Sequence, residues 1–227
     1  MSKFMDDKDY LLRNETGERL FHGYAENMPI IDYHCHISPR EIFEDRRFKN
    51  ITEVWLGGDH YKWRLMRANG VDERYITGDA PDREKFQKWA ETLGRCIGNP
   101  VFEWSHLELN RFFGYDGVLN TETAQEVWDL TSEALARPDF SCRELVRRSN
   151  VRVICTTDDP ADSFEWHKKI AADPAFDVAV VPAMRPDAAL RIERTGEFGA
   201  YVDKLARVAE TPIATFEDLK RAIARRY

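Results

Sequence analysis

Ile30-Ile31-Asp32-Tyr33-His34-Cys35-His36 is a short apolar run that ends in Asp-x-His-x-His. Alternate residues of a β-strand share a face, which places Asp32, His34 and His36 on one side and Tyr33 and Cys35 on the other. Pro29 opens the run and Ser38-Pro39 closes it with turn chemistry, so a strand is predicted over 29–36. Two imidazoles one pleat apart can grip a single divalent ion, and strand ends are where open sites form on α/β scaffolds. A metal site at His34 and His36 is expected. The plainer alternative is a pair of hydrogen-bonded structural histidines, since a short motif carries its own false-positive risk.

Working outward, residues 1–28 read as a polar lead-in with a short helix over 18–27. From 40 to 148 the pattern is mostly helical. Ala124, Val127, Trp128, Thr131 and Leu135 form an i, i+3, i+4, i+7 stripe over 121–136, and Phe86, Trp89, Ala90 and Leu93 do the same over 82–97. Ser141-x-x-Glu144 is a capping box. The grammar then changes to β. Val-Arg-Val-Ile-Cys-Thr-Thr over 151–157 reads as a buried strand. Asp158-Asp159-Pro160 reads as a helix start running to about 172, with Asp159 as cap, and 176–183 reads as another strand. Strand, helix and strand in this space make a βαβ unit with parallel strands. Helices are predicted at 187–194, 198–209 and 215–227, the last opened by Thr215-x-x-Asp218.

Parallel strands separated by helices leave an open doubly wound sheet or a β/α barrel. A doubly wound nucleotide fold wants a glycine-rich turn after its first strand, and here that turn is His-Cys-His-Ile-Ser-Pro. The expected class is therefore α/β, the N-terminal part of a (β/α)8 TIM-type barrel. Residues 1–36 would form the lead-in and first strand, 37–149 a long helical insertion, and 150–227 further barrel units. Only three strands are read, against eight for a closed barrel of about 250 residues. An incomplete barrel leaves an unpaired sheet edge, so covering helices, a second copy or the remainder of a longer enzyme is expected over it.

The chain has 227 residues, 43% of them hydrophobic and 32% charged, with a net charge of −7. The acidic balance argues against nucleic acid or an anionic membrane as partner. No apolar run reaches membrane-spanning length, and the first residues lack the apolar core of a signal peptide. Cys35, Cys96, Cys142 and Cys155 are widely spread without a C-x-x-C, which fits a reducing cytoplasm and neither a disulfide framework nor a zinc ribbon.

Three further groups carry candidate chemistry. Gly57-Gly58-Asp59-His60-Tyr61-Lys62-Trp63-Arg64 combines glycines that permit close approach to a ligand with an acid/base pair and a cation. Its bland reading is a helix start, with Asp59 as cap and Tyr61 and Trp63 in packing. Arg185 follows the last predicted strand, on the rim of the His pair, where a guanidinium suits a carboxylate or phosphate. Its bland reading is a surface pair with Asp187. Thr156, Thr157 and Asp158 end the preceding strand and either bind ligand or cap a helix. Asp32 is either an orienting group for a ligand imidazole or purely structural. His22, His106 and His167 have no supporting constellation and read as structural or surface residues.

Ile31–His36, Gly57–Arg64, Thr156-Thr157-Asp158-Asp159-Pro160 and Arg185-Pro186-Asp187 together resemble uronate (glucuronate) isomerase of the amidohydrolase superfamily, in order and in spacing. The resemblance implies a cytoplasmic isomerase that interconverts D-glucuronate with D-fructuronate and D-galacturonate with D-tagaturonate. It implies His34 and His36 as ligands of a divalent metal, commonly zinc. His60 and Tyr61 would contact the sugar and assist proton movement, and Arg185 would meet the substrate carboxylate. The family's remaining metal ligand is an aspartate near the last barrel strand, a region not matched here, so this stretch alone is expected to be inactive. The alternative function is a metal-dependent hydrolase of the same superfamily, and a different class again is a non-catalytic fragment with a vestigial His pair.

Overall fold

The computed structural model describes residues 8–226. Its helices are α1 (Glu15–Leu20), α2 (Pro39–Phe43), α3 (Ile51–Leu56), α4 (His60–Ala68), α5 (Asp82–Leu93), α6 (Pro100–Phe113), α7 (Ala124–Leu135), α8 (Cys142–Arg148), α9 (Glu165–Ala171), α10 (Thr195–Val208) and α11 (Phe216–Arg226). The strands are β1 (Ile30–Asp32), β2 (Val151–Asp158) and β3 (Ala179–Met184). They form two compact units, one of residues 8–28 with 47–144 and one of 29–46 with 145–226.

The first unit is helical. α3, α4, α5 and α7 pack on one another because each presents an apolar stripe at helical spacing. Phe86, Trp89, Ala90 and Leu93 of α5 are fully buried, as the periodicity predicts, and Phe86 packs between Trp55 and Trp128. Burying a side chain such as Phe86 stabilises by roughly 1.5–3 kcal/mol. Caps fix the helix starts: Asn50 accepts from the Glu53 amide at 3.1 Å, and Asn99 accepts from Val101 at 3.0 Å with Pro100 in the first turn. α6 stops at Gly114, whose φ of 70° is left-handed, with the Tyr115 amide reaching back to the Leu109 carbonyl at 3.1 Å. The helix predicted over 18–27 is α1 continued by a π turn, Phe21–Ala25.

The second unit holds a parallel sheet in the order β1-β2-β3, the α/β arrangement read from the sequence. Ile30 faces Val151 but Ile31 faces Val153, so the ladder skips Arg152 and then runs on in register. Ile154 and Thr156 of β2 are buried, and α9 packs on β3 and α2. Phe43 and Trp166 meet at 5.5 Å between ring centroids, which closes α2 on α9. A separate cluster of Ala161, Leu205, Ala209, Leu219 and Ala222 seats α10 and α11.

Several predicted boundaries need correction. The ladder of β1 covers Ile30–Asp32 rather than 29–36, because the His34 amide turns to the Asp32 side chain at 3.3 Å. The helix predicted from Asp159-Pro160 begins only at Glu165. Asp159 does accept a backbone amide, from Ala161 at 2.8 Å, but within a turn that Asp162 closes from the other side. Phe164 at φ 54° then breaks helical continuity. The strand predicted at 176–183 is Ala179–Met184, and the helix predicted at 187–194 is a 3-10 turn, Asp187–Leu190. The Thr215 box is reciprocal: the Asp218 amide donates to Thr215 Oγ1 at 3.2 Å, and the Thr215 amide to Asp218 Oδ2 at 2.9 Å. Residues 1–7, read as free of a signal peptide, and Tyr227 at the end of the last predicted helix lie outside the described residues.

Candidate functional site

Parallel strands end on one rim, and that rim carries the candidate residues of the second unit. Past β1 the chain stays alongside β2. The Cys35 amide donates to the Cys155 carbonyl at 3.0 Å, and Thr157 Oγ1 donates to the Cys35 carbonyl at 2.7 Å. Cys35 is thus held through both backbone groups. Burial pushes its thiol pKa up, against a backbone hydrogen bond at Ile37, so it is a poor thiolate. Its neighbours His34 and His36 are exposed, with ring centroids 5.0 Å apart at 88°. Asp32 Oδ1 accepts the His34 backbone amide at 3.3 Å.

The fit to a metal can be judged from this pair. Two imidazoles at that separation can each turn a nitrogen toward one zinc-like ion, for which Zn–N is about 2.0–2.1 Å. Among the described residues no third His, Cys, Asp or Glu joins them to make a cage. His34 and His36 fit as two donors of a larger set.

Arg185 follows β3 on the same rim. Its amide donates to the Asp158 carbonyl at 2.8 Å, while its half-exposed guanidinium pairs with Asp187 at 3.1 Å. Thr157 belongs to the His turn. Thr156 and Asp158 instead meet His167, for which the sequence pattern offers no constellation. Thr156 Oγ1 lies 2.7 Å from His167 Nε2 and 2.6 Å from Asp158 Oδ2. Burial pushes the His167 pKa down, against the pull of Asp158 and Asp162.

His60 and Tyr61 belong to the first unit, where they open α4. Asp59 caps them by accepting from the Tyr61 and Lys62 amides at 2.9 and 3.2 Å. The His60 and Tyr61 rings stack at 4.5 Å, and Arg64 sits over the Tyr61 ring at 5.7 Å. The bland reading is right about Asp59 but not about Tyr61, which is 58% exposed rather than packed. Trp63 donates to the Leu56 carbonyl at 2.8 Å. Gly57 is required by its own chain, since a Cβ there would strike the Glu53 carbonyl, whereas Gly58 faces open space.

The remaining histidines are held by neighbours. His106 is buried with Nδ1 2.6 Å from the Phe102 carbonyl and Nε2 accepting the Leu119 amide at 2.9 Å, an arrangement that fixes the neutral Nδ1–H tautomer. His22 lies between Asp9 at 2.8 Å and Glu26 at 3.1 Å, and those hydrogen bonds raise its pKa.

The family model for glucuronate isomerase, UxaC, matches residues 1–227. The uronate isomerase of Lachnospira eligens is 59% identical over 226 residues, all of this chain and 48% of that protein. The uronate isomerase of Bacillus subtilis is 51% identical over the whole chain and 47% of its own length. The chain spans about half the length of the curated relatives it matches. The crystal structure of uronate isomerase from Thermotoga maritima superposes with a TM-score of 0.87 at 36% identity, covering 96% of this chain and 48% of that one. Glucuronate isomerase from Caulobacter crescentus, at 24% identity and TM-score 0.84 over 98% of this chain and 48% of that one, shares the fold.

Proposed function

The chain belongs to the glucuronate isomerase family, and from that we propose that it contributes part of the site of a hexuronate aldose–ketose isomerase. The substrates would be D-glucuronate and D-galacturonate, giving D-fructuronate and D-tagaturonate. The observation that carries this reading is the His34–His36 pair and Arg185 on one strand-end rim of a chain matched by that family along its whole length. The same match favours the isomerase over a hydrolase of the amidohydrolase superfamily.

Isomerisation moves a proton from C2 to C1 through an enediol-like species and needs a base, a proton donor and positive charge by the developing oxyanion. His34 and His36 would hold a divalent ion, zinc by preference, which supplies that positive charge when bound. Arg185 would bind the substrate carboxylate through a planar fork of donors, exchanging Asp187 for the ligand. His60 and Tyr61 present a ring nitrogen and a phenol for the sugar hydroxyls and proton movement.

The sheet order β1-β2-β3, in which chain neighbours are also sheet neighbours, supports the opening of a β/α barrel. In that architecture 1–36 is lead-in and first strand, 37–149 the helical insertion and 150–227 the following units. The remainder of the enzyme or a second copy would cover the sheet edge. No helix among the described residues is long and apolar enough to cross a membrane. Four free cysteines fit a reducing, cytoplasmic setting, and the net charge of −7 argues against nucleic acid or an anionic membrane as partner.

The reading is tested by assaying the complete zinc-loaded enzyme on a panel of uronates, amides and phosphoesters. Uronate turnover that disappears in His34→Ala and His36→Ala is expected. Ester or amide hydrolysis with no uronate turnover would overturn the assignment.

A further inference from the structure

We propose that Thr156, Asp158 and His167 act as a buried pin that sets the end of β2, and through it the position of both the His34–His36 turn and Arg185. Thr156 is 1% exposed and His167 7%. A carboxylate only accepts, so the Thr156 hydroxyl donates to Asp158 Oδ2, and His167 must carry a proton on Nε2 to donate to Thr156. The two bonds run in one direction and lock three side chains into a single arrangement.

The backbone around Thr156 then does the positioning. The Cys155 carbonyl and Thr157 hydroxyl hold Cys35, between the two imidazoles. The Asp158 carbonyl holds the Arg185 amide. The pin therefore has two dependants on opposite neighbours of β2. An apolar contact between α9 and the sheet would stabilise as well. What the polar chain adds is direction, because it fixes the twist of the strand end as well as its depth.

The consequence for substrate rests on the isomerase reading, whereas the mechanical claim does not. His167 is a positioning residue, since its side chain meets Thr156, Asp158 and the edge of the Phe164 ring.

The test uses Thr156→Val and His167→Leu, with Thr156→Ser and His167→Gln as variants that keep a hydroxyl and a donor. Amide hydrogen exchange by NMR is expected to quicken at least tenfold at Cys35 and Arg185 in the first two. The Ile30 amide, bonded to the Asn150 carbonyl at the other end of β2, should keep its rate. Ser and Gln should restore slow exchange. In the complete enzyme the same pair should raise KM for uronates more than it lowers kcat. Uniform acceleration along β2, or unchanged exchange at Cys35 and Arg185, would overturn the pin. Selective acceleration in a protein that turns over no uronate would retire the isomerase reading and leave the pin standing.

Discussion

Lys62 Nζ lies 2.6 Å from Asp59 Oδ2, in the turn of α4 that presents His60 and Tyr61. Both partners are largely withdrawn from solvent, and the Trp55 ring lies 5.8 Å from the ammonium. Burial alone would raise the Asp59 pKa, but Lys62 and the capping amides outweigh it and hold the carboxyl below its usual range. Glu108 shares this ammonium, and burial pushes its pKa up. The ammonium thus pairs with Asp59, while at Glu108 its pull is outweighed by burial.

Lys62→Met should cost about 2 kcal/mol, because it leaves Asp59 poorly solvated and without its cation. A group with a depressed folded pKa contributes stability above its unfolded pKa, and that contribution is lost as pH falls through the folded value. The wild type should therefore lose more stability than the variant between pH 5 and pH 3. Urea midpoints at several pH values measure it, and parallel acid slopes would refute the role given to Lys62.

His106 should stay neutral under mildly acidic conditions. Burial lowers its pKa, against the Phe102 carbonyl. The unfolded chain binds the proton first, so this histidine destabilises the fold as pH falls from about 6.5 toward its lowered value. Ring-proton chemical shifts followed by NMR should show no titration at His106 near pH 6.5. His22 behaves oppositely: its raised pKa gives stability present below the unfolded value and lost as pH climbs through the folded one.

Thr215→Ala should cost about 1 kcal/mol by removing the hydroxyl that accepts the Asp218 amide at the start of α11. Thermal unfolding reads this directly. Asp218, its pKa lowered to about 2 by Thr215 and the Ala214 amide, should contribute stability that disappears as pH falls from about 4 toward 2. A Thr215→Ala protein that melts with the wild type would show that the box is ornamental.

Arg185→Met should raise KM for uronates on the order of 30-fold and spare kcat, as expected for a lost carboxylate clamp half open to water. Arg185→Lys should recover only part, because an ammonium cannot fork. Steady-state kinetics on the complete enzyme decide it. A change confined to kcat would place Arg185 in the chemistry instead.

Removal of either imidazole should weaken zinc or cobalt binding at least about tenfold, since two donors then become one. Equilibrium dialysis of His34→Ala and His36→Ala against the wild type is the measurement. Equal metal content in all three proteins would assign the pair to structure.

The helices were legible where packing and periodicity agree, as at Phe86, Trp89, Ala90 and Leu93, and where a cap writes itself in side chains, as at Asp59 or Thr215. The closeness of His34 and His36 was legible because two positions of chain keep the rings near each other, although the strand expected to carry them ends at Asp32. His167 was not. It meets Thr156 only because α9 turns back beneath β2, eleven positions on, and nothing local announces that return. The start of α9 was misread for a related reason: Asp159-Pro160 carries helix-start chemistry, yet the Asp159 and Asp162 side chains satisfy a turn first.

The ladder break at Arg152 divides β2 into an entry whose length is negotiable and an exit whose length is not. One residue more or less after Val153 would exchange the faces of Thr156 and Thr157, carrying the hydroxyl that grips Cys35 into the helix layer. One residue more or less before Val153 falls where the pairing already skips a position. Chimeras with related chains should therefore be spliced upstream of Val153, and natural insertions or deletions should collect there as well.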